Sequence, residues 1–356
     1  MAQLHQQIDQ KLGGIGVRLR LDEASRQVVV ETPLPGSPAL KGGILAGDVI
    51  VQVNGQATAD FPAGQEVATA TARIQGQPGE TVTLGVRHPA SGAIERIQLV
   101  REVIRFTSVT GDRLKADLTW DFMLDDAKRI GYIHLAYVGR QSPEDMRAAL
   151  TELKSRGLRA LVLDLRNNPG GSLDESVAIA DLFVESGILL TVKGRTGEAR
   201  VYTAEPEGTF SGFPIAVLVN RNTASGGEII AAGLQDHQRA IVVGERTYGQ
   251  ALVKNLFSLE GGKSALKLPT AAYYRPNGKN MHRYPDAVES DDWGVRPNEH
   301  YEVVGSAEEP EQFGKDRLRR SVLNGRAPEG AGFEDRVLRK ALEYLEAPSG
   351  KPSSDR

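Results

Sequence analysis

From about Ile130 the chain alternates apolar, strand-like runs with segments of helical period, which restricts it to an α/β layer domain whose helices cover a sheet. Leu158 to Leu165 reads as a buried strand, and Ile215 to Val219 as another. Each gives way to a polar turn, Asp164 to Gly171 in the first case and the segment from Asn220 in the second. Loops at the carboxyl ends of such strands commonly carry function. After the second turn a helix is predicted from Ser225 or Gly226 to about Leu234, with unsatisfied N–H donors at its N-terminus. Ser142-Pro143-Glu144 predicts a further helix, with the Ser142 hydroxyl as cap and Gly157 as stop.

The first hundred residues follow another pattern. Short β-branched runs such as Val28-Val29-Val30 and Val49-Ile50-Val51 are separated by glycine and proline, which predicts a small β-rich module. Beyond Gly305 the composition turns charged. Phe333-Glu334-Asp335 then opens an amphipathic stretch with Val337, Leu338, Ala341, Leu342 and Leu345 at helical spacing, a docking helix. The expected organisation is a helical lead-in over 1–12, a β-rich domain over 13–101, an α/β core over 102–304, an extension with a helix over 305–346 and a disordered tail over 347–356.

Composition removes several functions. Among 356 residues the net charge is −3, without the basic surplus that neutralises phosphates, so nucleic-acid binding is disfavoured. Cysteine is absent, so disulfides, thiol nucleophiles and thiolate ligands are all excluded. The six histidines show no paired ligand spacing, and neither a metal nor another cofactor is expected. Gly262-Lys263-Ser264 imitates the end of a phosphate loop, but Phe257 stands where its first glycine belongs, so it reads as a hairpin turn. The apolar runs are far shorter than the ~20 residues of a membrane span, so no integral membrane segment is expected. Met1 to His5 has neither a basic nor an apolar region of a signal peptide.

Gly14-Ile15-Gly16-Val17, Ser37-Pro38-Ala39, Gly42-Gly43-Ile44, Gly47-Asp48-Val49-Ile50 and Val53-Asn54-Gly55 occur in an order that resembles a PDZ domain. The resemblance implies that Gly14 to Val17 turn backbone N–H groups toward the terminal carboxylate of a peptide, which adds a strand to the sheet edge.

The core resembles the C-terminal processing peptidases, or tail-specific proteases, which pair a PDZ domain with a crotonase-like α/β core. The matching segments are Ile130 to Ile133, Asp164 to Gly171, Val219 to Ser225 running into Glu228-Ile229, Gly244 to Gly249 and Tyr274 to Gly278. The resemblance implies that Ser225 is the nucleophile, that the N–H groups of Gly171 and Gly226 form an oxyanion hole, and that Glu228 and Arg166 support the site. It also implies protein or peptide substrates with apolar C-termini and a location in the cell envelope or periplasm.

One position departs from the family. Its general-base lysine lies twenty-five residues after the serine, and that residue here is Gln250, while Lys254 stands where the family has glutamine. A primary amide cannot take the serine proton. Along a straight strand, the Cα atoms of positions 250 and 254 lie about 13 Å apart, which places Lys254 beyond reach of the serine without a bulge or curl. Two readings follow: a serine endopeptidase of the C-terminal processing type, or a pseudoprotease that binds peptides without turnover.

Overall fold

The computed structural model describes residues 11–89, 91–105, 107–195, 197–259, 264–321 and 333–347. It divides into two compact units. The first takes in the chain to Phe106 with 113–120 and 315–332, and the second holds 107–112, 121–314 and the chain from Phe333. No helix among the described residues is long and apolar enough to cross a membrane.

In the first unit, alternating buried residues of the strands Gln27–Pro33, Val49–Val53 and Thr81–Arg87 close a small β core around Val28, Val30, Ile50, Val53, Val82, Leu84 and Val86. The sheet runs in the order Val17–Asp22, Gln27–Pro33, Val49–Val53, Thr81–Arg87, Ile94–Val100, so Val17–Asp22 is an edge strand. Most of the expected helical lead-in lies outside the described residues. Lys11 and Leu12 do not continue it: Lys11–Gly14 is a strand, paired antiparallel with Glu102–Arg105. That pairing also carries the unit past 101.

The second unit is the expected α/β layer. Ile130–Leu135, Ala160–Asp164, Ile215–Val219 and Ile241–Gly244 form a parallel sheet, edged by the antiparallel Met123–Asp125. Its strands are apolar on both faces, and the pleat sorts them. Ile133, Leu161, Leu163, Ile215, Val217 and Val219 join the core shared with the helices Ser142–Ser155, Leu173–Asp181 and Gly226–Asp236. Tyr132, Val162, Ala216, Leu218 and Val243 face the other side, where Val337 and Ala341 of the helix Arg336–Glu346 cover them. Ser142 does not cap its helix. Gln141 holds the cap position, and the Ser142 hydroxyl instead accepts from the Gly139 N–H at 2.8 Å, beside the buried Ser108 hydroxyl at 2.6 Å. The hairpin turn expected at 262–264 falls largely outside the described residues, but the strands flanking it, Leu252–Leu259 and Ser264–Tyr274, are antiparallel. The 348–356 part of the expected tail also lies outside them.

Arg166 fixes the loop after Ala160–Asp164 to the C-terminal helix. Its buried guanidinium donates to both carboxylate oxygens of Asp164 and to both of Asp335, at 2.6–3.1 Å, and lies 4.0 Å from the Phe313 ring centre. Asp335 is also the N-cap of that helix, accepting from Leu338 N–H at 2.8 Å. Burial pushes the Asp164 carboxyl up, but the Arg166 charge and the Tyr132 hydroxyl together hold it below the usual carboxylate range. We expect Arg166→Ala to cost about 3–5 kcal/mol in denaturant unfolding at pH 7, since it leaves a buried carboxylate unpaired. A depressed carboxyl contributes stability above its unfolded pKa and loses it as pH falls. The gap between native chain and variant should therefore narrow below about pH 4.

Candidate active site

Ser225 stands between the strand Ile215–Val219 and the helix Gly226–Asp236, at φ 51° and ψ −113°. A residue with a Cβ pays about 1–3 kcal/mol for such a backbone, and it persists only where its surroundings impose it. The segment lacks the glycine two residues before the nucleophile that a strained strand-to-helix elbow usually carries, since 223 is threonine. The strained turn is nevertheless present, and the neighbouring contacts show what holds it.

The first hold is Glu228. Its carboxylate is fully buried and collects four donors: the N–H of Ser225 (2.8 Å), the N–H of Gly249 (2.7 Å), the N–H of Gln250 (2.8 Å) and the Thr247 hydroxyl. The carboxylate therefore does more than place negative charge in the first helical turn: it clamps the 247–250 segment against the serine. Burial pushes its pKa up, against the opposing pull of these four hydrogen bonds. The lone pairs of Glu228 are thus occupied by backbone and hydroxyl donors. Tyr248 N–H donates to Thr223 carbonyl at 2.9 Å, a second tie between the same segments.

The second hold is the loop 164–171. Thr223 Oγ1 donates to the Leu165 carbonyl (2.8 Å), Asn167 N–H to Asn220 Oδ1 (2.9 Å), and Ala224 N–H to the Asn168 carbonyl (2.8 Å). Asn168 in turn donates to the Leu135 carbonyl and accepts from Gly170 N–H, both at 2.7 Å. These bonds press Gly170-Gly171 onto the serine. Gly170 has φ 87°, and a Cβ there would lie 2.5 Å from Gly226 N and 2.7 Å from the Ser225 Cβ. A Cβ on Gly171 would fall 1.8 Å from the Val138 carbonyl oxygen, and one on Gly226 would fall 3.4 Å from Gly171 N. Val138 bonds to Gly170 and Ser172 on either side, so among the described residues the N–H groups of Gly171 and Gly226 donate to no chain atom. Two amides are thus left beside the serine at a helix N-terminus, where the dipole favours negative charge.

The remaining sequence-selected residues fall as follows. Gln250 is half-buried, with its backbone on Glu228 beside Ser225. Lys254 is exposed, and its Nζ donates to Gln250 Oε1 at 3.3 Å. The two side chains extend toward one another, and the ladder changes register between Val253 and Lys254, opposite Ala271 and Pro269. Arg166 supports the loop from behind and lies in the ion pairs already described. In the first unit, Gly14 ends a strand, Ile15 is fully buried, Gly16 has φ 73° and Val17 opens the edge strand. The carbonyls of Ile15 and Gly16 accept from Ala39 and Leu34 N–H at 2.9 and 2.8 Å, which turns the N–H groups of Gly16 and Val17 the opposite way across their trans peptides. Sequence reasoning missed Asn168, Gly170, Thr223 and Thr247, although each stands in a segment it quoted. His282 Nδ1 lies 3.2 Å from the Gly249 carbonyl, and burial lowers its pKa.

A peptidase family S41 model matches residues 129–299, and a PDZ domain model matches residues 4–87. The chloroplastic C-terminal processing peptidase of Tetradesmus obliquus is 32% identical over 313 residues, covering 85% of this chain and 65% of that protein. Among solved structures, photosystem II D1 C-terminal processing protease is 30% identical, with 92% of this chain and 81% of that one covered, at a TM-score of 0.47. The putative S41 protease of Bacteroides fragilis, 18% identical with 94% and 83% covered and a TM-score of 0.52, shares the fold. The chain spans somewhat under two thirds of the length of the curated relatives it matches. It belongs to peptidase family S41 and carries a PDZ domain toward its N-terminus.

Removing the Glu228 carboxylate strands several buried donors at about 1–3 kcal/mol each. Glu228→Ala should therefore lose at least ~3 kcal/mol in denaturant unfolding and release the strained serine, whereas exposed Glu343→Ala should change stability by under ~0.5 kcal/mol.

Proposed function

We propose that this chain is a serine endopeptidase of the C-terminal processing type. The observation that carries the reading is Ser225, held in a strained turn at a helix N-terminus beside two N–H groups that donate to no atom among the described residues. In this reading Ser225 Oγ attacks a peptide carbonyl. The Gly171 and Gly226 N–H groups stabilise the oxyanion, a contribution worth about 10²–10³ in rate per donor in comparable sites. Hydrolysis of the acyl-enzyme then releases the second product. The edge strand Val17–Asp22 and the Gly14–Val17 turn take the apolar C-terminal segment of a protein, with its carboxylate on the outward N–H groups. The compartment proposed is a cell envelope or periplasm, as the family resemblance implies.

The test is mass-spectrometric detection of cleavage of an unfolded protein with an apolar C-terminal tail. Cleavage is expected with the native chain and at least ~10³-fold less with Ser225→Ala. Amidating the substrate's terminal carboxylate should cut the rate about tenfold at low substrate concentration, since it removes charge-assisted hydrogen bonds worth roughly 1.5 kcal/mol or more. Equal cleavage by Ser225→Ala would refute the nucleophile, and indifference to amidation would refute the proposed capture of the tail.

A further inference from the structure

We propose that Lys254 is the general base for Ser225, with Gln250 as the residue that positions it. This inference rests on the serine peptidase reading and names the group that reading leaves open. Its basis is a continuous set of contacts. The N–H groups of Ser225 and Gln250 converge on one oxygen, Glu228 Oε2, each at 2.8 Å, so positions 225 and 250 start side by side. From there the Gln250 side chain meets the Lys254 ammonium at 3.3 Å. An acceptor amide oxygen suits an amine donor, and the amide takes no proton itself. The lysine is thus tethered to a residue whose backbone shares a carboxylate with the nucleophile. A four-carbon stem with freely rotating bonds lets the amine leave Gln250 for Ser225 once a substrate excludes water.

The other groups near this point are less suited. Glu228 is buried and saturated with donors. Arg283, whose backbone is bonded to Gly249, cannot give up a proton. His282 is the titratable group that faces Lys254 from the neighbouring segment, and its Nδ1 is directed at the Gly249 carbonyl. Burial, and after it the nearby Lys254 charge, lower the His282 pKa, and the contact with the Gly249 carbonyl occupies one of its two ring nitrogens.

The steps balance without an added reagent. The neutral Lys254 amine takes the Ser225 hydroxyl proton as the Oγ–C bond forms and the carbonyl π pair moves onto oxygen. The resulting ammonium gives that proton to the leaving nitrogen as the C–N bond breaks. In deacylation the amine takes a proton from water as its oxygen attacks the ester, and returns it to Ser225 Oγ when the acyl bond breaks.

The experiment compares cleavage rates from pH 6 to 10 for the native chain, Ser225→Ala, Lys254→Ala, Lys254→Arg, His282→Ala and the exchanged pair Gln250→Lys with Lys254→Gln, each checked for an unchanged thermal midpoint. Arginine retains the charge and a hydrogen bond to Gln250 but supplies no basic lone pair, so a merely structural lysine would tolerate it. The expected result is a fall of at least ~100-fold in both Lys254→Ala and Lys254→Arg, and cleavage by the exchanged pair while the native chain is inactive would overturn Lys254 as the base. The native rate should climb toward alkaline pH, where an amine loses its proton. Cleavage by Lys254→Arg within twofold of native, with Ser225→Ala inactive, would overturn Lys254 and leave the serine peptidase standing. Loss on His282→Ala with Lys254→Arg active would assign the base to the imidazole instead. No cleavage by the native chain or the exchanged pair would overturn the peptidase reading, and this inference with it.

Discussion

The site depends on one buried carboxylate. Glu228 gathers three backbone N–H groups and a hydroxyl from two stretches of chain that are separate in sequence, and it does so from the first turn of the helix that follows Ser225. Each bond is short and shielded from water, so the set defines where the 247–250 segment lies relative to the serine. A charge so enclosed is costly unless its oxygens are saturated, and here they are. The strain at Ser225 is the visible counterpart of this arrangement: a left-handed residue survives because its N–H is fixed to Glu228 and its neighbour Ala224 to Asn168.

The same logic runs outward. The Gly170-Gly171 turn can approach the serine because neither residue carries a Cβ, and its place is set by Asn168, Thr223 and Asn220, which close the two strand-end loops on each other. Behind that loop, Arg166 joins Asp164 to Asp335 across a long sequence separation, so the helix Arg336–Glu346 braces the 164–171 loop as well as covering the sheet. The sheet places these loops, and the polar network between them ties one to the other.

Much of this was legible without coordinates because it is local. The strand Ile215–Val219, the helix beginning at Gly226 and the docking helix near Val337 follow from apolar period and turn residues alone. The serine, the glycines and Glu228 could be picked out because the short segments that hold them resemble those of the family. What was not legible depends on pairing at a distance. No local pattern shows that Lys11–Gly14 finds Glu102–Arg105, or that Ser142 accepts a bond from Gly139 in place of capping a helix. Glu228 carries the same letter whether it supports a helix dipole or clamps two loops. The reach of Lys254 to Gln250 depends on two side chains extending toward one another, which a count of residues along a strand omits.

In the proposed mechanism this framework sets Ser225 apart from every other serine of the chain as the nucleophile. It is tested most directly by treating the native protein with a fluorophosphonate and mapping the adduct by peptide mass spectrometry. A single adduct is expected on the peptide containing Ser225, absent after Ser225→Ala and sharply reduced after Glu228→Ala. An unmodified Ser225 in the folded native chain, or an adduct that persists unchanged in Ser225→Ala, would contradict it.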